Sequence, residues 1–91
     1  MKLEVVEFEA NKYTILIGKN KKENFKIIDD SNLNDIWFHI EDEPSCHVIL
    51  KNTYNEKLRE IPKQIIKRCA YLCKINSQAK TKKIVVLFIL N

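Results

Sequence analysis

Apolar and polar positions alternate with the period of a β-strand in four stretches of the chain. Leu3 to Phe8 and Tyr13 to Ile17 predict two strands, with Ala10, Asn11 and Lys12 as their short connection. The first strand slips phase at Val5 and Val6, which predicts a bulge. Asp35 to Ile40 and Cys46 to Lys51 predict a hairpin across the loop EDEPS. Paired in that way, Ile40 lies opposite Cys46 and His39 opposite His47. Side chains alternate between the two faces of a strand. One face is then Ile36, Phe38, Ile40, Cys46, Val48 and Leu50, all apolar, and is assigned to the core. The other is Asp35, Trp37, His39, His47, Ile49 and Lys51. A slip of one residue would put the apolar set on the wrong side, so the register is well specified. It gathers the single tryptophan and both histidines onto one non-core face.

Two stretches have a helical period. Asn20 to Ile28 predicts a short helix with Asn20 as N-cap and an apolar face of Phe25 and Ile28. Residues 62–77 predict a longer one, with Pro62 at the first helical position. Ile61, Ile65, Cys69, Leu72, Cys73 and Asn76 share one side of it, with Ile66 at the edge; Lys63, Lys67, Ala70 and Lys74 share the other. Ile84 to Leu90 is apolar without alternation, which predicts a central strand covered on both faces. Gly18, the single glycine, closes the second strand, where the backbone needs positive φ or close approach to a ligand. The expected fold is α+β: one domain over 1–91, a mixed or antiparallel sheet, one long helix and one short one.

A 91-residue chain buries only about 60–65% of its unfolded surface, so one modest core is expected. No apolar run reaches the roughly 20 residues of a membrane span, and the N-terminus alternates with glutamates, unlike a signal peptide. The expectation is a cytoplasmic protein, with a nuclear location as the alternative, and no membrane contact. Cys46, Cys69 and Cys73 are odd in number and read as reduced thiols. With His39 and His47 they invite a zinc reading, but Cys46 faces away from His47 and the other two lie on the buried side of the long helix. Buried thiols are the default. No Walker loop, dinucleotide glycine motif or serine elbow is present, so no enzyme, no metal and no cofactor are expected.

Charge changes the picture more than composition does. The net +4 hides a polarity: six acids and no lysine or arginine from Asp29 to Glu43, but eight basic residues and one acid from Arg59 to Lys83. Four lysines and one acid fall between Lys19 and Lys26. A basic helical stripe (Lys63, Lys67, Lys74) beside a basic turn (Lys80, Lys82, Lys83) is the electrostatic pattern of nucleic-acid binding. A solvated helix face gives the same pattern. The acidic 29–43 segment supports a different class, a protein-interaction adaptor. Two imidazoles paired across a hairpin also predict that at least one titrates below about 6.5, because like charges that close disfavour each other.

Gly18-Lys19-Asn20, then Asn24, then Asp35-Ile36-Trp37-Phe38-His39, then Pro44-Ser45-Cys46-His47-Val48 resembles the signature of the NFACT-R domain family. The likeness runs from about Tyr13 to Leu87. It includes the small residues Cys69, Ala70, Cys73 and Ser77 on the long helix and the valine-rich strand after it. Within the family it is nearest to the small eukaryotic coiled-coil-containing members. The resemblance implies nucleic-acid binding, RNA first and DNA second. In the large members this domain accompanies a tRNA-engaging domain and acts on stalled large ribosomal subunits, where C-terminal tails are added to arrested chains. It implies rRNA, tRNA or the ribosome as partner and a role in translation quality control. Tail synthesis by this segment alone is not expected, since no NFACT-N or coiled-coil segment precedes it. The sequence stops at Asn91, where relatives continue, so the completeness of its sheet is open. Phe25 stands where the family more often has an acid. The candidate nucleic-acid-binding residues are Gly18, Lys19, Asn20, Lys21, Lys22, Asn24, Trp37, His39, His47, Lys63, Lys67, Lys74, Lys80, Lys82 and Lys83.

Overall fold

The computed structural model describes residues 2–41, 45–77 and 85–90. The chain runs β1 (Lys2–Phe8), β2 (Asn11–Gly18), α1 (Lys21–Asp29), β3 (Ile36–Ile40), β4 (His47–Leu50), a 3₁₀ turn (Leu58–Glu60), α2 (Lys63–Ile75) and β5 (Val85–Ile89). The five strands form one antiparallel sheet in the order β1-β2-β4-β3-β5. The fold is α+β, as expected.

The β3–β4 pairing has the predicted register: Ile36 opposite Leu50, Trp37 opposite Ile49, Phe38 opposite Val48. Ile36, Phe38, Ile40, Cys46, Val48 and Leu50 are all buried. They join Tyr13, Ile15 and Ile17 of β2 and the Ile65, Cys69, Leu72 and Cys73 face of α2 in one cluster. Arg68 fastens α2 to β1 through a bidentate pair with Glu4, at 2.8 Å for each nitrogen. Ser77 Oγ accepts from the Cys46 N–H at 3.0 Å and donates to the Cys73 carbonyl, tying the end of α2 to the start of β4.

The opposite face is covered only in part. α1 crosses β2 and β4 there, and burying Ile27 and Ile49 gives a second, smaller core outside the main cluster. Gly18 permits this approach. A Cβ at that position would lie 2.5 Å from Asn24 Oδ1 and 2.9 Å from the Asn24 nitrogen. The glycine therefore serves close packing of a helix. Its φ is not positive, and the neighbour that needs the space is α1 and not a ligand.

Several expectations are corrected. The β1–β2 connection is the two-residue turn Glu9-Ala10, with φ of 48° and 70°, and not residues 10–12. Both central residues of such a tight hairpin turn take positive φ. No bulge interrupts β1: the pairing runs unbroken from Lys2–Ile17 to Phe8–Asn11. The buried residue of α1 is Ile27, while Phe25 is 61% exposed. Pro62 is the N-cap of α2 and not its first helical residue. β5 is an edge strand and not a central one, with Phe88 and Ile89 exposed. Residues 42–44 of the EDEPS loop and the basic turn of 78–83, with Lys80, Lys82 and Lys83, lie outside the described residues.

Candidate nucleic-acid interface

The half-covered face holds the chemistry. Across it, one row of the sheet reads Leu16 (β2), Ile49 (β4), Trp37 (β3) and Phe88 (β5). The next row reads Gly18, His47, His39 and Val86, with the His39–His47 step continuing the β3–β4 register. Where α1 ends its coverage, four rings come together. The Trp37 centroid lies 4.7 Å from that of His39, 5.3 Å from His47 and 5.5 Å from Phe88. His39 and His47 are 5.7 Å apart. His39 stacks on Phe88 at 5.5 Å with planes 13° apart. The tryptophan and both histidines sit together because the hairpin register demands it. Phe88 joins them because β5 pairs with β3, a contact between distant segments that the apolar run 84–90 does not announce.

The cluster leaves polar atoms unspent. Trp37 Nε1 and His47 Nδ1 are both buried without a hydrogen-bond partner among the described residues. An unsatisfied buried polar group costs about 1–3 kcal/mol, so native folds seldom keep one without a use for it. His39 Nδ1 lies 3.2 Å from the Ile40 carbonyl and acts as donor there, which in the neutral ring leaves Nε2 as an acceptor. Burial holds His47 below its ordinary value, and the adjacent His39 adds to the shift. The expected depression is present, but desolvation is its larger cause. A neutral His47 is a hydrogen-bonding group and not a permanent cationic clamp.

Beside the rings stands the start of α1. Asn20 caps it, its Oδ1 accepting the Glu23 N–H at 2.9 Å. Glu23 Oε1 in turn accepts the Lys19 N–H at 3.0 Å. Asn24 clips the helix to β4: its Oδ1 accepts the His47 N–H and its Nδ2 donates to the Ser45 carbonyl, each at 3.2 Å. Gly18, Asn20 and Asn24 thus shape the site with groups already engaged. Lys19, Lys21 and Lys22 are exposed. Cations at a helix N-terminus oppose the macrodipole, and a bound anion there gains from both the dipole and the lysines. Between α1 and the start of β4 lies a groove of about 430 Å³, lined by Lys19, Lys21, Phe25 and Ile28 on one side and Ser45, Cys46 and His47 on the other.

The other predicted residues lie elsewhere. Lys63, Lys67 and Lys74 are exposed on α2, which packs on the opposite face of the sheet. The structure therefore does not bring the two lysine sets together. Asp35, the first residue of the Asp-Ile-Trp-Phe-His stretch, is structural. It is 2% exposed, accepts from the Asn32 and Asn52 backbone N–H groups at 2.8 and 2.9 Å, and pairs with Lys51. Among the described residues no group of three histidines, cysteines or acids is placed to hold a metal. Burial pushes the Cys46 thiol up to about 11, and those of Cys69 and Cys73 to about 12.

Residues 3–90 match the family described as NFACT protein RNA binding domain. The chain belongs to the NFACT-R family. It is 43% identical over 68 residues to mouse coiled-coil domain-containing protein 25, covering 75% of this chain and 33% of that one. Protein JLP2 of Saccharomyces cerevisiae is 44% identical over 68 residues, covering 71% of this chain and 33% of the yeast protein. The chain thus spans about a third of the length of these relatives. The C-terminal of the fibronectin/fibrinogen-binding protein from Streptococcus suis shares the fold, with a TM-score of 0.73 at 23% identity over 98% of this chain and 35% of that one. The family's description points to RNA binding. The NFACT-R stretch from Gly18 to Val48 maps onto the face just described: glycine and asparagines where α1 meets the sheet, tryptophan and histidines in the ring cluster.

Proposed function

We propose that this chain is a non-enzymatic RNA-binding module that works on tRNA or ribosomal RNA in the cytoplasm, in translation quality control. One observation carries the reading: a cluster of partly exposed rings (Trp37, His39, Phe88) beside a helix terminus bearing three exposed lysines. Aromatic faces take bases and lysines take phosphates. The buried thiols, protonated at neutral pH, support a binding role over nucleophilic chemistry. The adaptor reading is weakened because Asp35 is consumed by Lys51 and Asp30 pairs with Lys26.

The single tryptophan is a built-in reporter. Titrating tRNA, ribosomal subunits and matched DNA while following its fluorescence is expected to give a change with RNA. The affinity should fall linearly with salt on log–log axes. A salt-insensitive interaction, or one that leaves the fluorescence unmoved, contradicts the reading. Tighter binding of the matched DNA replaces RNA by DNA as the ligand.

A further inference from the structure

We propose that the groove between α1 and Ser45–His47 at the start of β4 takes one unpaired nucleobase of a single-stranded RNA, stacked on Phe25, with its flanking phosphates on Lys19 and Lys21. The proposal rests on the RNA-binding reading and refines it. Phe25 is the residue to explain. It lies on α1, takes no part in either core and leaves 61% of its surface in water, yet it lines the groove of about 430 Å³. An aromatic wall with two lysines at its mouth has the complementarity of a nucleotide: an apolar flat body and an anionic edge. His47 forms part of the opposite wall and also belongs to the ring cluster. A strand leaving the groove past His47 therefore meets the ring cluster, where the half-exposed Phe88, stacked on His39, is open to the next base.

The same geometry limits selectivity. Asn20 Oδ1 and Asn24 Oδ1 already accept backbone N–H groups, and Asn24 Nδ2 already donates to the Ser45 carbonyl. The groove's side-chain amides are thus largely committed to the fold. Stacking governs binding, and stacking tolerates any base. A base inside a duplex must first leave its stack to enter, so single strands are favoured.

The test compares the full chain with Phe25→Ala, Phe25→Tyr and Phe25→Glu against a single-stranded RNA and a duplex of the same length. Phe25 is exposed, so thermal melting should show all three variants folded. Phe25→Ala is expected to weaken single-strand binding roughly 5- to 150-fold, the worth of one stacked base, and to leave duplex binding unchanged. Phe25→Tyr should restore it, and Phe25→Glu should weaken it further. In an NMR titration with a nucleoside monophosphate, the Phe25 ring and Asn24 amide signals should shift, with similar affinity for all four bases. If the parent chain binds RNA with salt dependence but Phe25→Ala binds single strands unchanged, the groove proposal falls and the RNA reading stands. If the parent chain binds no RNA, both fall. A silent nucleotide titration overturns the proposal too, and is the result expected if the groove instead receives an apolar side chain of a protein partner.

Discussion

At the scale of single residues, the site is made by groups whose ordinary preferences are overridden. His47 is the clearest case. Its ring is packed among Trp37 and His39, its Nδ1 has no partner among the described residues, and burial holds its proton affinity down from 6.5. The folded state thus prefers the neutral ring. As the pH falls, the unfolded chain takes up this proton first. The preference contributes stability that is complete above 6.5 and is lost as the pH falls through the lowered folded value. Glu4 has the same sign but acts only below 4.5, so the two windows are separate. Denaturant unfolding of the chain and of His47→Gln at about pH 7.5 and about pH 5.5 isolates the histidine. The parent chain should lose stability between the two pH values and the variant should lose less. Equal losses would remove the case for a desolvated imidazole. Asp35 shows the opposite lesson. Sequence places it beside Trp37 and His39 as a member of one stretch, but the fold spends it on two backbone donors and Lys51.

At the scale of elements, α1 carries a local conflict that marks function. Its first turn holds Lys21 and Lys22 at the positive end of the helix dipole, relieved only by Glu23. Lys21→Glu with Lys22→Glu should stabilise the fold by about 1 kcal/mol at low ionic strength, which for a domain of this size raises the melting temperature by about 4–8 °C. The same change should weaken RNA binding. Calorimetry and a binding titration on one preparation check both, and a lowered melting temperature would refute the conflict. The conflict is legible in the sequence, as is the β3–β4 register, because Ile36, Phe38 and Ile40 alternate with Trp37 and His39 and only one phase buries the apolar set. Other elements are not. The Glu9-Ala10 turn has neither glycine nor asparagine to mark its positive φ values, and the nearby Asn11 draws the connection to itself. The nine residues of α1 span only about 2.5 turns, too few for periodicity to tell buried Ile27 from exposed Phe25. β5 is apolar at every position, and a strand without alternation says nothing of its neighbours. Phe88, the fourth ring of the cluster, is therefore visible only once β5 is seen beside β3.

At the scale of the whole molecule, the sheet divides the charge. α1 and the rings occupy one face and α2 the other, in a body of 34 × 26 × 22 Å. Lys19, Lys21 and Lys22 therefore cannot act with Lys63, Lys67 and Lys74 on one short strand; a nucleic acid that meets both sets must pass round an edge of the sheet. Oligonucleotide length separates the two sets. With a single strand of about 6 nucleotides, reversing Lys19, Lys21 and Lys22 to glutamate should abolish binding, while reversing Lys63, Lys67 and Lys74 should leave affinity and salt slope unchanged. With a long folded RNA, each triple reversal should weaken binding. Each lost phosphate contact should flatten the log–log salt slope by about 0.7 for single strands and about 0.9 for duplex segments. Thermal melting controls for folding, since all six lysines are exposed. If the α2 lysines contribute nothing with long RNA either, they are a solvated helix face and the interface is confined to the ring-bearing side. If instead they govern binding of the short strand, the site lies on α2, and the cluster of Trp37, His39, His47 and Phe88 serves packing rather than recognition.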